Sequence, residues 1–233
     1  MKMNTRITWL AALLLFLPMA GSFASPAQTI AHRKVICIDP GHPSEVGRGT
    51  EGRHVTEMQV AWDVGCDLAK ALRAQGYEVV LTKRSEGQFV KNRRRAEIAN
   101  AAHADLMVRL HCDANSGTGM AVYAPDRQGT SGGVRGPSPQ IIARSQVAAR
   151  VFNAAAASVL GKELRDKGVF PDTSTAVGAK QGALTGSICS RVPVILIEMC
   201  VLTNPNDERF ISSKRGHTLM VSALTAGIEA AVK

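Results

Sequence analysis

Three short, mostly apolar segments that each end at a polar residue constrain the fold of this chain more than any other feature. Residues 34–38 run into His42 through an Asp-Pro-Gly turn, residues 105–110 end at His111, and residues 192–197 end at Glu198. Segments of this length predict buried strands, because a helix needs a longer apolar stripe. Proline and glycine end the first strand, so we expect His42 just past its carboxyl end.

Helical segments alternate with these strands. A T-x-x-Q capping box at residues 56–59 predicts a helix that begins at Glu57, carries apolar residues every four positions and ends at Gly76. Further strands are predicted at residues 78–82 and 119–124, and further helices near residues 92–102, 141–159 and 220–228. Residues 161–190 lack a regular pattern and are expected to include a surface loop.

This alternation predicts an α/β fold. We expect a single domain with a largely parallel central sheet of about five to six strands and helices on both faces. The five cysteines are an odd number, so at least one is unpaired within a monomer. Cys37, Cys112 and Cys200 lie in predicted strands, and the sequence leaves the pairing of all five open.

The beginning of the chain has the pattern of an export signal. Lys2 and Arg6 precede an apolar run, and Ala24 ends a small-residue cleavage motif. We therefore expect a signal peptide at residues 1–24, an extension at residues 25–33 and the folded domain at residues 34–233. The protein is expected to be secreted across the inner membrane into the periplasm or cell wall, without a stable membrane anchor.

The charge of the chain favours an acidic partner. The formal net charge is +9, of which the predicted signal peptide carries +2 (Lys2 and Arg6), and the remaining +7 draws an exported protein towards polyanions. Aromatic residues make up only 4% of the chain, too few for the stacking platforms of a single-strand nucleic-acid binder. The cell wall is therefore the favoured partner and nucleic acid is not. The arginine run at residues 93–95 predicts an exposed basic helix face or a site for wall carboxylates.

Four polar residues can converge at one edge of the predicted sheet. Parallel strands end on the same edge, which brings together His42, His111 and Glu198, and Glu57 begins the helix that follows the first of these strands. Two histidines and a carboxylate are the ligand set of a catalytic zinc ion. A further carboxylate serves proton transfer in hydrolysis. Taken singly, a loop histidine or an acid at a helix start such as Glu57 is ordinary, but the four together predict a hydrolytic metal site.

The chain resembles the zinc-dependent N-acetylmuramoyl-L-alanine amidases, the cell-wall hydrolases that release the stem peptide from the glycan. The matching stretches are IDPGH at 38–42, the helix that begins at Glu57, GYEVVLTKRSE at 76–86, RRRAEIAN at 93–100, ADLMVRLHCDAN at 104–115 and PVILIEMCVLTNPNDERFI at 193–211. The resemblance implies one zinc ion held by His42, Glu57 and His111, with Glu198 as the catalytic carboxylate. It also implies peptidoglycan as substrate, a role in cell separation, a monomeric enzyme, and room for an activating or targeting protein of the envelope.

Other residues near these motifs are weaker candidates. Asp39 could hydrogen-bond a ligand histidine from behind or simply cap its turn. Arg109 could contact an acidic substrate or point to solvent, and Asn115 is a further candidate for substrate contact. His54 could compete as a metal ligand, although a histidine in the middle of a loop is usually solvated. Pro43 stands where the family usually has a second glycine after DPGH.

Two other functions stay open at this point. One is a zinc peptidase that cuts within the stem peptide, although the chain has no HExxH motif. The other is a non-catalytic cell-wall binding protein of the same fold, which would be expected to lack one of the four site residues. All four are present, so the sequence favours the amidase.

Overall fold

The computed structural model describes Met1 and residues 33–233, so the predicted signal peptide beyond Met1 and residues 25–32 of the predicted extension lie outside the described residues. In chain order the elements are β1 Val35–Pro40, α1 Glu57–Ala74, β2 Glu78–Leu81, α2 Asn92–Ala101, β3 Leu106–Asp113, β4 Met120–Ala124, β5 Gly129–Ser131, β6 Val134–Gly136, α3 Pro139–Leu160, β7 Asp166–Pro171, a 3₁₀ turn Asp172–Ser174, α4 Ala176–Gln181, α5 Thr185–Ile188, β8 Val194–Val201, α6 Pro205–Ser212 and α7 Lys214–Ala231. None of the helices in this part of the chain is long and apolar enough to span a membrane.

Six strands form one central sheet in the order β2-β1-β3-β8-β4-β7. Strands β2, β1, β3 and β8 run parallel, β4 is antiparallel to β8, and β7 is parallel to β4. The predicted α/β fold with a largely parallel sheet of five to six strands is therefore confirmed. Strands β5 and β6 form a separate two-stranded hairpin between β4 and α3.

Helices cover both faces of the sheet, as predicted. On one face, Ile38 and Val108 belong to the main hydrophobic core together with residues of α1, α3 and α7. On the other face, Cys37 and Met107 pack against Ala99 of α2. Alternate residues of the central strands thus point into two separate apolar layers, which is why these strands read as continuous apolar runs.

Helix α1 begins where the capping box predicts. The side chain of Thr56 accepts a hydrogen bond from the Gln59 backbone N–H at 3.2 Å, and Glu57 is the first helical residue. Gly76, with φ of +90°, follows the helix in the left-handed region that glycine adopts without strain. This cap matters for the site, because it fixes the position of the Glu57 side chain.

Residues 161–190, for which the sequence predicts only that they include a surface loop, contain more regular structure than their pattern indicates. This segment forms β7, the 3₁₀ turn, α4 and α5. Asp172 and Ala183 within it are buried, and Asp172 accepts a hydrogen bond from the Leu184 backbone N–H at 3.1 Å. The helices have only six and four residues, too few to show a helical period in the sequence.

All five cysteines are free thiols in the structure. Cys37, Cys112 and Cys200 lie in strands as predicted and are buried. The sulfur atoms of Cys112 and Cys200 lie 3.8 Å apart on the neighbouring strands β3 and β8.

Candidate metal centre

The carboxyl ends of β1, β3 and β8 meet at one edge of the sheet. His111 on β3 is in register with Glu198 on β8, so their side chains emerge side by side. His42 follows the end of β1, whose Pro40 is in register with Leu110 of β3. Glu57 arrives at the same edge from the start of α1. The structure therefore brings together all four residues that the sequence places at this edge.

His42 is held by contacts of both its backbone and its ring. Its backbone lies in the left-handed region with φ of +48°, which is uncommon for a residue other than glycine. The buried ammonium group of Lys83 donates hydrogen bonds to the carbonyl oxygens of His42, Gly41 and Glu86. Burial, together with the Arg95 charge, lowers the pKa of Lys83 to about 8. The ring Nδ1 lies 3.1 Å from the Gly47 carbonyl oxygen, which leaves Nε2 facing Glu57.

The Glu57 carboxylate lies between the two histidines. Its Oε1 is 2.8 Å from Nδ1 of His111 and 3.4 Å from Nε2 of His42, and its Oε2 accepts a hydrogen bond from the Thr50 backbone N–H at 2.7 Å. Burial alone would raise the pKa of Glu57, but hydrogen bonds and charge from His111 and His42 outweigh it and hold the pKa well below its usual range. Burial lowers the pKa of His111, which favours the neutral ring that binds metal ions.

Two glycines make room for this cluster. A Cβ atom on Gly41 would lie 2.7 Å from Cε1 of His111 and 2.8 Å from the Leu110 carbonyl oxygen. A Cβ atom on Gly49, whose φ is +87°, would lie 2.6 Å from Oε2 of Glu57. Any larger side chain at either position would displace a member of the cluster. The loop between β1 and α1, residues 41–56, is therefore shaped around the cluster and is called the metal loop below.

The chemistry of the donor atoms fits a metal ion. One ligand atom each from His42, Glu57 and His111 lies within 4.8 Å of the other two. In addition, Nε2 of His111 and Oε2 of Glu198 are buried without a hydrogen-bond partner among the described residues. Buried polar atoms are rarely left unpaired, so these two atoms are available to a group from outside the chain. Two imidazoles and one carboxylate are donors that suit zinc.

Glu198 lies beside the cluster but is not one of the three grouped residues. Burial, and then the negative charges of Glu57 and Asp113, raise the pKa of Glu198 well above its usual value, and Lys167 and Arg109 partly oppose this. A carboxyl group whose pKa lies above its usual range is suited to exchanging protons near neutral pH.

Asp39 and Arg109 have different roles from those predicted. The fully buried Asp39 carboxylate accepts hydrogen bonds from Thr82, from Nη1 of Arg95 at 2.7 Å and from Nε of Arg109 at 2.9 Å, and in the described structure it bonds no histidine. Arg109 is 3% exposed and also donates to Asn92, so it neither points to solvent nor lies free for substrate. The two predictions fail for the same reason, because the residues satisfy each other beneath the site.

The same network corrects the prediction of an exposed basic face at residues 93–95. Arg93 and Arg94 are exposed, whereas Arg95 is 1% exposed and donates to the carbonyl oxygens of Pro40 and Pro43 as well as to Asp39. Sequence analysis missed Arg95, Lys83 and Thr82 as supports of the metal loop. Thr82 and Lys83 directly follow β2, and Arg95 lies in the first turn of α2. Polar residues at such positions can be either solvated or buried, so the sequence carries no signal that would distinguish the two.

The last two candidates lie on exposed loops. His54 is exposed, its backbone N–H donates to Glu208, and its side chain is not part of the ligand cluster. Asn115 is also exposed, and its side chain accepts from the Gly117 backbone N–H at 2.6 Å and donates to Asp113. Asn115 thus stabilises a turn after β3, and its contact with substrate stays a prediction.

Fold and site together define an α/β protein with a His-Glu-His cluster, able to hold a metal ion, at the carboxyl edge of its sheet. Comparison with known proteins agrees with this class. The family model described as N-acetylmuramoyl-L-alanine amidase matches residues 36–230. The chain belongs to this family.

Individual relatives are distant but extend over most of the chain. N-acetylmuramoyl-L-alanine amidase AmiC of Neisseria meningitidis is 24% identical over 224 residues, which cover 84% of this chain and 52% of that protein. This chain therefore spans about half the length of that relative. The amidase Ami1 from Mycobacterium smegmatis has the same fold, with a TM-score of 0.70, 19% identity and coverage of 85% of this chain and 96% of the other. The CwlD amidase from Clostridioides difficile, solved in complex with the GerS lipoprotein, gives a TM-score of 0.68 at 16% identity, covering 85% of this chain and 98% of the other.

Proposed function

We propose that this chain is a zinc-dependent N-acetylmuramoyl-L-alanine amidase that hydrolyses the amide bond between N-acetylmuramic acid and the L-alanine of the stem peptide. The observation that carries the proposal is the His42, Glu57 and His111 cluster with Glu198 in register beside it. Membership of the amidase family, through a match over residues 36–230, supports the choice of reaction.

The roles of the site residues follow from their donors and surroundings. His42, Glu57 and His111 would hold a zinc ion, which would supply Lewis-acid activation of a water molecule and of the scissile carbonyl group. Glu198 takes the proton from the attacking water and passes it to the nitrogen of the leaving amine. The Gly47 carbonyl oxygen, 3.1 Å from Nδ1 of His42, and the Thr50 N–H, 2.7 Å from Oε2 of Glu57, hold the ligands in position.

Replacement of Glu198 by Gln tests the mechanism, because Gln keeps the shape of the side chain but cannot accept the proton. We expect Glu198→Gln to bind zinc as the parent does and to lose at least about a hundredfold in the rate of muropeptide hydrolysis, the scale of general acid–base catalysis. Zinc content by metal analysis and product release by mass spectrometry are the measurements. Full activity with bound zinc would remove Glu198 from the mechanism.

The products of the parent protein separate this function from its alternatives. An amidase releases an intact stem peptide with a free L-alanine amine, whereas a peptidase acting within the stem leaves L-alanine attached to the sugar. A wall-binding protein without catalysis would release neither product, with or without a chelator. Only the first pattern of products agrees with the proposal.

The expected setting of the enzyme is the cell envelope. We propose that residues 1–24 direct export and that the mature protein works in the periplasm or cell wall as a monomer. The solved complex of the CwlD amidase with the GerS lipoprotein supports looking for an envelope partner that activates or targets this chain. Fractionation of cells that express the full chain, with sequencing of the mature amino terminus, tests both the export and the cleavage after Ala24.

A further inference from the structure

One aromatic side chain is exposed where most apolar residues of this size are buried. Phe89 is 55% exposed on the segment that joins β2 to α2, and within residues 33–233 no other aromatic side chain belongs to the exposed class. Exposure of a large ring to water is unfavourable, so a ring held in this position suggests a surface that something covers.

The segment that carries Phe89 is well fixed by hydrogen bonds. Gln88 accepts from the Arg84 backbone N–H at 2.6 Å through its side chain, and its own N–H donates to the Ser85 carbonyl oxygen at 3.2 Å. The next residue, Val90, donates from its backbone N–H to the Pro43 carbonyl oxygen at 3.2 Å. The ring therefore lies on a segment that is fixed by hydrogen bonds, one of which joins it directly to the metal loop.

Phe89 lines a basic groove of about 720 Å³. The groove is lined by Leu81, Thr82, Arg84, Gln88, Phe89, Val90, Lys91, Arg94 and Ile98. Among these described residues three are cations and none is a carboxylate. Arg94 lies 3.3 Å from the exposed Glu97, whereas Arg84 and Lys91 form no ion pair within residues 33–233. The groove is therefore complementary to an anion with an apolar face.

The position of the groove relates it to the metal centre. β2 is the edge strand next to β1, and the groove begins at its carboxyl end, on the same side of the sheet as His42. β2 lies two strand spacings from β3, which carries His111, a distance of roughly 10 Å. The carboxyl end of β2, where the groove begins, therefore lies on the same edge as the metal centre.

We propose that this groove is a second binding site for peptidoglycan, separate from the scissile bond. The Phe89 ring packs on the apolar face of a sugar ring, and Arg84 and Lys91 bind carboxylates of a neighbouring muramyl peptide. The proposal rests on the proposed amidase function, because it takes the substrate of that function as the occupant. It extends that function by making the enzyme select polymer over fragments.

Binding to insoluble cell-wall sacculi and turnover of a soluble monomeric muropeptide together test this proposal. The variants are Phe89→Ala and the double variant Arg84→Glu/Lys91→Glu. The Lys91 side chain makes no capping bond to α2 and only the backbone N–H of Arg84 is bonded, so neither charge change removes a bond that holds the fold. For the sacculus assay each change is placed in the Glu198→Gln background, so that the polymer is not digested.

We expect each variant to weaken sacculus binding about tenfold, while kcat/KM for the soluble muropeptide changes less than about twofold. The matched control is Arg144→Glu/Arg150→Glu, which changes the net charge equally on the exposed face of α3. This control should leave both measurements unchanged, and added salt should weaken binding of the parent more than binding of the charge-reversed variant.

Three results would overturn the proposal. The first is sacculus binding by either groove variant that equals that of the parent. The second is binding that is weakened equally in the α3 control. The third is turnover of the soluble muropeptide that falls in parallel with binding. The last result would mean that the segment acts through the metal loop instead. If the parent protein hydrolyses neither sacculi nor the soluble muropeptide, the proposed function is wrong, and the binding comparison still decides whether the groove holds the polymer.

Discussion

The replacement Asp39→Asn is the sharpest test of how the metal loop is supported. Asp39 is 0% exposed, and its carboxylate is the anion shared by Arg95 and Arg109, which are 1% and 3% exposed. Asparagine keeps the size of the side chain and one acceptor oxygen, but it removes the negative charge. Two guanidinium groups would then stay buried without a counter-charge.

The expected loss of stability is the cost of removing one partner from a buried ion pair while the other partner stays buried. Removal of one partner leaves an uncompensated buried charge and costs about 3–5 kcal/mol. Arg95 keeps its bonds to the carbonyl oxygens of Val90, Pro40 and Pro43, which partly compensate its charge. We therefore expect Asp39→Asn to lower the free energy of unfolding by about 3–5 kcal/mol and to lower the Tm by about 10 °C for a domain of this size.

Urea denaturation followed by circular dichroism measures this loss, with Asp63→Asn as control. Asp63 is exposed on α1 and forms no ion pair in the described part of the chain, so its replacement should change stability by less than about 0.5 kcal/mol. A loss below about 1 kcal/mol in Asp39→Asn would refute the reasoning, since it would mean that the two arginines are solvated.

The pH dependence of the free energy of unfolding, compared between the parent and Asp39→Asn, tests whether the Asp39 carboxylate stabilises the fold in its ionised form. Burial acts to raise the pKa of Asp39, but the charges of Arg95 and Arg109 outweigh it and hold the pKa well below its usual range. The ionised carboxylate therefore contributes its stability above pH of about 4, the ordinary pKa, and loses it as the pH falls towards the folded-state value. The stability difference between the parent and Asp39→Asn should narrow as the pH is lowered from about 5 to 2. A difference that stays constant over this range would contradict the assignment.

Two further predictions concern the ligands themselves. Gly41→Ala should weaken zinc binding about tenfold or more, because its Cβ would lie 2.7 Å from Cε1 of His111. Titration against a zinc chelator measures this, with Gly87→Ala as control, since a Cβ there meets nothing within 4 Å; equal affinities would contradict the prediction. His111→Ala should lose stoichiometric zinc, whereas His54→Ala should keep it, as measured by metal analysis of the two purified variants. Loss of zinc in His54→Ala but not in His111→Ala would reverse the ligand assignment.

The sequence predicts which residues converge at the site better than it predicts which residues hold them in place. His42, His111 and Glu198 end apolar runs, and parallel strands must end on a common edge, so their meeting follows from the pattern alone. The position of Glu57 follows from the capping box of α1 in the same way. Each of these predictions depends only on local signals and one rule of topology.

The supporting residues could not be predicted because their contacts are long-range. Arg95 lies in a run of three arginines, and nothing in that run tells which one turns inward to meet Asp39, 56 residues away in the chain. Lys83 follows β2 in a position where a solvated lysine is common. Only contacts between segments that are distant in the chain decide that these cations are buried.

These buried cations also explain how the metal loop holds its shape without the glycine that the family usually has at Pro43. The carbonyl oxygens of Gly41 and His42 accept from Lys83, and that of Pro43 accepts from Arg95 and from the Val90 N–H. Three successive carbonyl groups are therefore fixed by donors from outside the loop. Val90 is the neighbour of Phe89, so its hydrogen bond to Pro43 helps to fix both the metal loop and the exposed ring. The metal loop and the proposed polymer groove therefore share hydrogen bonds that hold them in place.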